Sequence, residues 1–235
     1  MESKNTIFFK AAQLSNDVPG VDYHIHTTFT DGKSSIEEYI LAAIKKDLSA
    51  IAFTEHVRKS SGWFGTFTQD VKNIRKAYPQ LKVYYGIEAK ALDFQGTLDA
   101  APEMINESEL VVGAVHRYPG LENLSELEQI SPVKAARMEF EASMGLIENA
   151  PIDVLAHPGG IYETYYDDFP VGYFREIVKA AKQYNIAIEI SSKYCRRIIE
   201  WLEICKSEDV FISLGSDAHS DSEIGTIVNT LRGVM

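Results

Sequence analysis

Three side chains in residues 21–32, VDYHIHTTFTDG, have types and spacing suited to metal binding. Asp22, His24 and His26 are two residues apart, and β-strand side chains share a face at every second position. Two imidazoles on one face at a strand end can bind one metal ion, and Asp31 follows in a polar turn. The segment predicts a metal site, although a single histidine in a strand is more often a packed residue.

The other histidines of the chain follow the same rule. All 6 histidines of the chain, His24 and His26 included, lie at or just beyond the carboxyl end of a predicted strand. The predicted strands end at His26, His56, Glu88, His116, His157, Ser192 and Asp217, and His219 follows the last of them. Because scattered histidines would not share this position, we expect the imidazoles to meet in one pocket with Glu88, Asp217 and Asp31.

Helical patterns separate these strands and must position the cluster. They cover residues 34–47, 68–78, 97–106, 132–149, 169–184, 196–207 and 221–232. Serines before the first pattern and Ser131–Pro132 before the fourth are typical of helix starts. Alternating strands and helices predict an α/β fold with a parallel sheet, and seven strands can close into a TIM-like (β/α)7 barrel. Chemistry in such barrels lies at the carboxyl ends of the strands. We expect one domain over residues 1–235.

Composition limits the partners of the chain. The net charge is -11 over 235 residues, and no basic cluster exceeds Arg196–Arg197, so long nucleic acid is a poor candidate partner. No apolar run is long enough to span a membrane or to form a signal peptide, which predicts a cytoplasmic protein without membrane contact. The 2 cysteines, Cys195 and Cys205, form no recognised motif and are expected to be free thiols.

The number of potential ligands predicts more than one metal ion. Imidazole and carboxylate without thiolate suit Zn, Mn or Fe. A catalytic zinc ion takes about three protein ligands, so the set fits two or three divalent ions, with Glu88 as the bridging candidate. The expected ligands are His24, His26, Asp31, His56, Glu88, His116, His157, Asp217 and His219.

Such a site is positive inside an acidic protein and favours a phosphorylated substrate, with inorganic phosphate as product. Basic residues near the strand ends are candidates for binding phosphate, although each is also an ordinary surface charge: Arg58, Lys90, Arg117, Lys193 and Arg196. Asp22 is expected to orient a histidine ligand from behind, and Glu55 and Glu189 are further candidates for that role. The oligomeric state is left open.

Two loops near the same ends are rich in aromatic residues. One contains Trp63, Phe64 and Phe67, and the other contains Tyr162, Tyr165 and Tyr166. They either cover the site and stack on a substrate ring, or pack the loops and contact another subunit. The second interpretation is favoured.

Short motifs along nearly the whole chain resemble the PHP family, the polymerase and histidinol phosphatase superfamily. They are HIHTTFTDG at 24–32, FTEH at 53–56, GIEAK at 86–90, GAVH at 113–116, LAHPGG at 155–160 and GSDAH at 215–219. The resemblance implies a distorted seven-stranded barrel and a trinuclear metal site. One metal would bind His24, His26, Glu88 and Asp217; a second would share Glu88 with His116 and His157; a third would bind His56, His219 and Asp31.

The resemblance also implies phosphoester hydrolysis. We expect hydrolysis of a small phosphomonoester, histidinol-phosphate-like or nucleotide-like, by a metal-bound hydroxide, with Asp217 or His219 handling a proton near the leaving group. The sequence EISS at 189–192 departs from the EIN of many histidinol phosphatases. The alternatives are a phosphodiesterase or nuclease acting on short single strands, a non-catalytic metal-binding regulatory domain and, more distantly, an amide hydrolase.

Overall fold

The protein is an eight-stranded, mostly parallel sheet surrounded by helices. The computed structural model describes residues 7–15, 17–121 and 124–235. The strands are β1 (Phe9–Lys10), β2 (Val21–Ile25), β3 (Ala50–His56), β4 (Lys82–Lys90), β5 (Leu110–Ala114), β6 (Val154–Leu155), β7 (Ala187–Ser191) and β8 (Phe211–Gly215). They lie in the order β1-β8-β7-β6-β5-β4-β3-β2.

The seven predicted strands correspond to β2–β8, and all of their pairings are parallel. The predicted strand count was wrong, because β1 adds an eighth strand. Phe9 and Lys10 pair antiparallel with Ile212 and Phe211 on the free edge of β8. Two residues carry too little periodicity to be recognised as a strand, so only the partner edge reveals it.

The first and last parallel strands meet at their carboxyl ends. Ile25 forms a parallel bridge with Ala218, just beyond β8. The amide of His26 donates to the carbonyl of Ala218 at 2.9 Å, and the amide of Ala218 donates to the carbonyl of His24 at 3.2 Å. The Tyr39 hydroxyl donates to the same Ala218 oxygen. These bonds bring the two histidine-bearing chain segments together.

The helices are α1 (Ile36–Lys45), α2 (Phe64–Ile74), α3 (Pro102–Glu107), α4 (Pro132–Asn149), α5 (Gly160–Tyr165), α6 (Val171–Tyr184), α7 (Ile198–Glu208) and α8 (Thr226–Val234). Ser35 caps α1 by a reciprocal capping box with Glu38, and Ser131 caps α4. The helix predicted at 97–106 was too long, since Leu98 instead forms a bridge with Ala91. The short α5 was not predicted.

The core lies between the sheet and the helices. The five residues of β2, β5 and β7 are all buried, as expected of parallel strands covered on both faces. Gly113 lies against Ile152, whose Cγ2 would be 2.7 Å from an added Cβ. Close packing, expected from a glycine inside a strand, is therefore present there. None of the helices described is both long and apolar enough to cross a bilayer.

Candidate metal centre

The structure brings the nine predicted ligand side chains together at the carboxyl ends of the parallel strands. β2, β3 and β4 end at or next to His26, His56 and Glu88. His116, His157, Asp217 and His219 follow the ends of β5, β6 and β8, and Asp31 lies in the turn after β2. Residues as far apart as 24 and 219 in sequence therefore share one site.

Glu88 lies at the centre of the cluster and is 1% exposed. One oxygen, Oε1, is 2.9 Å from Nε2 of His116 and 3.1 Å from Nε2 of His157. The other, Oε2, is 2.8 Å from Nδ1 of His56 and 3.4 Å from Nε2 of His24. Each carboxylate oxygen thus faces a different group of imidazoles, which is the geometry required of a bridging ligand.

Asp217 forms the second centre of contacts. Its Oδ1 is 3.1 Å from Nε2 of His26, 3.7 Å from Nε2 of His24 and 3.6 Å from Nδ1 of His219. His24 and His26 therefore lie between the carboxylates of Glu88 and Asp217.

Asp31 is the outermost carboxylate, with its side chain 57% exposed. Its Oδ2 is 3.5 Å from Nε2 of His56 and 3.4 Å from Nε2 of His219. This arrangement leaves the open side of the cluster at Asp31, where a solvent molecule or substrate can approach.

The donor set fits divalent cations. Three groups each present ligand atoms within 4.8 Å of one another: His26, His56 and His219; His24, His26 and Asp217; His56, Glu88 and His116. Within the described ranges, buried Nε2 of His24, both ring nitrogens of His26 and Oε2 of Glu88 have no hydrogen-bond partner. Buried polar atoms are normally satisfied. Converging buried donors without partners are what a cation site requires, and nitrogen with carboxylate donors suits Zn, Mn or Fe.

The carboxylates and imidazoles of the cluster strongly shift one another's pKa values even in the absence of metal. Burial opposes ionisation of Glu88, but His116 and His24 outweigh it and hold the pKa of Glu88 well below its usual value. Burial likewise opposes protonation of His24, but the carboxylates of Glu189 and Glu88 raise its pKa well above the usual value. A carboxylate surrounded by imidazoles therefore stays ionised, as a metal ligand must.

Glu189 on β7 supports two of the histidines. Its Oε1 is 2.6 Å from Nδ1 of His24, and its Oε2 accepts a hydrogen bond from the His157 amide at 2.7 Å. With Nδ1 of His24 bound to a carboxylate, Nε2 is the ring atom directed to the cluster. The orienting role that the sequence analysis considered for Glu189 has direct contacts in the structure.

Asp22 binds backbone amides rather than an imidazole. Its carboxylate accepts from the amides of Ser216 at 2.9 Å and Gly225 at 2.7 Å, and more weakly from that of His24 at 3.4 Å. Burial raises the pKa of Asp22 to about 6 despite these bonds. Asp22 therefore fixes the chain on both sides of Asp217 and does not orient a ring.

Glu55 performs a similar task for the turn that carries Asp31. Its carboxylate accepts from the Thr27 amide at 2.8 Å and from the hydroxyl of Thr30. Burial raises the pKa of Glu55 to about 7. The contacts of Glu55 hold the loop rather than a histidine ring.

Two ligand residues have a left-handed backbone. His157 has φ 27° and Asp217 has φ 49°. Such values are uncommon in residues other than glycine, and strained positions of this kind cluster at functional sites. The bonds from Glu189 and Asp22 lie beside these two positions and hold them.

The basic residues that were predicted to bind phosphate lie in three different places. Lys193 lies in the cluster, with Nζ 2.9 Å from Oδ2 of Asp217. Arg58, Lys90 and Arg117 line an adjoining cavity. Arg196 is not brought into the site: its guanidinium is near Asp167, and its backbone amide donates to Glu163.

Two joined cavities open over the cluster. One of about 210 Å³ is lined by most of the predicted ligands together with Lys193 and Tyr194. The other, of about 350 Å³, shares His56, Glu88 and His116 with the first. A larger cavity of about 650 Å³ lies at the opposite ends of the strands, near Leu81 and Val111, and contains none of the predicted site residues.

Tyr194 was missed by the sequence analysis. Its ring lies 4.8 Å from that of His157, and burial raises the pKa of its hydroxyl. A tyrosine two residues beyond a strand-end motif has no distinguishing pattern, so only its position after EISS pointed to the site.

The aromatic loops pack within the protein. Phe64 and Phe67 are buried in α2, and Trp63 lies 6.0 Å from Phe29. Tyr162 stacks on Tyr166 at 5.1 Å. None of these residues lines either cavity over the cluster.

Comparison with known proteins places the chain in a family. The PHP domain model matches residues 22–215. A probable phosphatase of Caldicellulosiruptor bescii is 29% identical over 215 residues, covering 87% of this chain and 82% of the relative. A probable phosphatase of Vibrio parahaemolyticus is 25% identical over 222 residues, covering 88% and 80%.

A solved structure shares the fold. The histidinol phosphate phosphatase of Lactococcus lactis, crystallised with Zn, L-histidinol and phosphate, has a TM-score of 0.71 at 21% identity and covers 92% of this chain and 93% of its own. The resemblance inferred from the motifs is confirmed by the family match, which extends from Asp22 to Gly215. The chain therefore belongs to the PHP domain family.

Proposed function

We propose that this PHP-family phosphatase hydrolyses a small phosphomonoester at a centre of two or three divalent cations. The observation that carries the proposal is the convergence of six imidazoles and three carboxylates on one open pocket. Histidinol phosphate and nucleotides are the candidate substrates, since a structural neighbour is a histidinol phosphate phosphatase. Water supplies an oxygen to phosphorus, the ester bond to the alcohol breaks, and alcohol and inorganic phosphate are released.

The cations would be held by groups of ligands that lie around Glu88. His24, His26 and Asp217 form one group, and His56, Glu88 and His116 form another, in agreement with the ligand atoms that converge. His157, near Glu88, and Asp31, near His219, complete the set. Bound cations would lower the pKa of water to about 7 and neutralise phosphate oxygens.

The other polar side chains of the pocket are positioned to favour binding of a phosphate dianion. Lys193 contacts Asp217 at 2.9 Å while its side chain is 44% exposed, so it can also reach a phosphate oxygen. Glu189 fixes His24 and the His157 backbone, so these ligands need no rearrangement when substrate binds. Preorganised groups of this kind account for much of enzymatic rate enhancement.

Asp217 and His219 are the two residues predicted to handle a proton near the leaving group. Burial favours the neutral form of Asp217, but the contact of its Oδ1 with Nε2 of His26 at 3.1 Å and the charge of His24 hold the pKa of Asp217 below its usual range. It is therefore ionised at neutral pH and suited to binding a cation, whereas a carboxylate held this acidic is a weak base. His219 has its Nδ1 2.9 Å from the Asp217 carbonyl oxygen, which fixes the ring with Nε2 toward Asp31.

The fold completes the proposal. The bridge between Ile25 and Ala218 supports closure of the parallel strands into a distorted barrel, with the site at its carboxyl end.

Elemental analysis joined to a substrate panel tests the function. We expect at least two equivalents of Zn, Mn or Fe and faster hydrolysis of phosphomonoesters than of bis(p-nitrophenyl) phosphate. His24→Ala should lose metal and activity together. Turnover of no phosphomonoester by metal-loaded protein, with His24→Ala indistinguishable from wild type, would contradict the proposal. A faster diester reaction would favour the phosphodiesterase alternative.

A further inference from the structure

The cavity beside the metal centre has an unusual lining. Its volume is about 350 Å³, and besides Val57 it is lined by three residues of the cluster and by three cations, Arg58, Lys90 and Arg117. Glu88 is the one carboxylate among the described residues that line it, and that carboxylate is enclosed by imidazoles. Three basic side chains therefore line the open part of this cavity, and that of Lys90 is paired with Asp99 outside it.

The residues that line the two cavities over the metal centre indicate which part of a substrate each cavity would bind. The smaller one, of about 210 Å³, holds seven of the nine predicted ligands and is the place for the phosphoryl group. The cavity of about 350 Å³ borders the cluster only at His56, Glu88 and His116. A substrate whose phosphate lies among the ligands would thus extend its alcohol part over Arg58, Lys90 and Arg117.

Two of the three basic residues, Lys90 and Arg58, have contacts that fix their position in the fold. Lys90 follows Glu88 by two positions on β4 and so shares its face. Its Nζ is 3.3 Å from Oδ2 of Asp99, and the other oxygen of Asp99 accepts from the Lys59 amide at 3.2 Å. Asp99 does not line the cavity. One carboxylate therefore anchors both the lysine and the loop that carries Arg58 from behind.

Arg58 is fixed by its own turn. Its amide donates to the Ser61 hydroxyl at 3.0 Å, and its carbonyl accepts from the Ser61 amide at 2.9 Å. Its side chain is exposed, and it forms no ion pair with any described carboxylate. An exposed guanidinium on a fixed turn, facing a cavity, is a suitable donor for a carboxylate or phosphate.

We infer that the alcohol released by this enzyme carries an anionic group, a carboxylate or a second phosphate, which binds Arg58, Lys90 and Arg117. The inference rests on the proposed function and narrows its substrate class. A leaving group that carries an ammonium, as in amino-alcohol phosphates such as histidinol phosphate, would meet like charge in this cavity and bind poorly.

Four phosphate esters of one size test the inference with metal-loaded protein. n-Propyl phosphate, 3-aminopropyl phosphate, 2-carboxyethyl phosphate and propane-1,3-diyl bisphosphate differ chiefly in the charge of the leaving group. We expect kcat/KM to be about tenfold higher for the two anionic compounds than for n-propyl phosphate, the size of a charged hydrogen bond. The aminopropyl compound should be the poorest. The ratio between the two anionic compounds distinguishes carboxylate from phosphate recognition.

Arginine variants attribute the preference to the cavity. Arg58→Gln and Arg117→Gln should lose the preference for an anionic leaving group, seen as a larger rise in KM for the two anionic compounds than for n-propyl phosphate. Arg137→Gln, an exposed arginine on α4 paired with Glu141, is the matched control and should retain the preference. Equal or faster hydrolysis of the aminopropyl compound, an undiminished preference in both variants, or an oligonucleotide preferred over every small ester would overturn the inference.

A binding measurement tests the anionic subsite independently of the proposed hydrolysis. Calorimetry with 3-phosphonopropionate and propylphosphonate, which cannot be hydrolysed at the carbon–phosphorus bond, needs no turnover. Tighter binding of 3-phosphonopropionate by wild type, lost in Arg58→Gln, supports the anionic subsite even if every ester proves inert, in which case only the hydrolytic function fails. Equal affinities of the two phosphonates overturn the subsite even in an active phosphatase.

Discussion

At the scale of single residues, the site depends on carboxylates that touch several imidazoles. Glu88 contacts His56, His116 and His157 with its two oxygens, and no other carboxylate of the cluster reaches as many rings at 3.1 Å or less among the described residues. Replacing one atom there alters several potential metal positions at once.

Glu88→Gln is therefore expected to lower bound metal and to reduce kcat by at least about a hundredfold, since even groups behind a metal ligand affect affinity or activity 10–100-fold. Metal content per chain and phosphatase rate are measured on the same preparation. Glu103→Gln, an exposed carboxylate at the start of α3, is the control. Full metal content in Glu88→Gln would count against a bridging role.

A buried carboxylate that is not among the predicted ligands predicts the pH dependence of stability. Glu139 on α4 is 1% exposed and accepts from the Tyr118 hydroxyl at 2.9 Å and the Tyr162 amide at 2.6 Å. Burial, only partly offset by these bonds, raises its pKa from 4.5 to about 7. The folded state thus binds this proton more tightly than the unfolded chain does.

The stability that Glu139 contributes should consequently fall as pH rises from 4.5 to about 7, the interval between the two values of this pKa. In Glu139→Gln the fall should be smaller by about 3 kcal/mol at most. Part of the slope should remain, because the pKa values of Asp22 and Glu55 are raised in the same direction. Urea unfolding across this range measures the slope, and Glu148→Gln on the exposed face of α4 should leave it unchanged. An identical slope in Glu139→Gln contradicts the prediction.

At the scale of secondary structure, the strands and their carboxyl ends could be predicted from the sequence more accurately than the side-chain contacts around them. Strand ends are marked by histidines after apolar runs, and parallel topology requires those ends to meet at one edge. The partners of Asp22 could not be foreseen, because Ser216 and Gly225 lie 194 and 203 residues away. The six-residue α5 was missed because so short a segment has little periodicity.

One strand position couples packing to the site. A Cβ on Gly215 at the end of β8 would lie 2.0 Å from Oε1 of Glu189 and 2.8 Å from the Cβ of His24. Glycine is therefore required for the contact between Glu189 and His24, which orients that ring.

Gly215→Ala should destabilise the protein by about 1–3 kcal/mol, the usual effect of overpacking, and weaken metal binding because His24 must move. Thermal unfolding and metal titration give the two readouts. Gly172→Ala in α6 is the matched control, since no atom lies within 4 Å of its added Cβ. Wild-type metal affinity in Gly215→Ala would show that the ring orientation does not depend on this contact.

At the scale of the whole molecule, metal binding and folding are linked. The ligands come from strands spread over the sheet, and several buried ligand atoms have no hydrogen-bond partner within the described part of the chain. Cations bind the folded arrangement and not the unfolded chain, so they stabilise it by mass action.

Zinc or manganese at a hundred times its dissociation constant should add about 2.7 kcal/mol and raise Tm by roughly 5–10 °C for a chain of this size. Differential scanning calorimetry with and without a chelator measures the change. His24→Ala should show a smaller rise. A Tm that is the same with chelator and with metal would argue against a buried metal centre.

The bridge between Ile25 and Ala218 has a consequence for biosynthesis. It joins segments that are far apart in sequence, and Asp217 and His219 flank its second half. A nascent chain that has left the ribosome only as far as α7 possesses seven of the nine predicted ligands but neither of these two, nor the backbone bonds that position His24 and His26. The complete set of predicted ligands therefore exists only after translation has passed residue 219, and we expect a shorter chain to lack phosphatase activity.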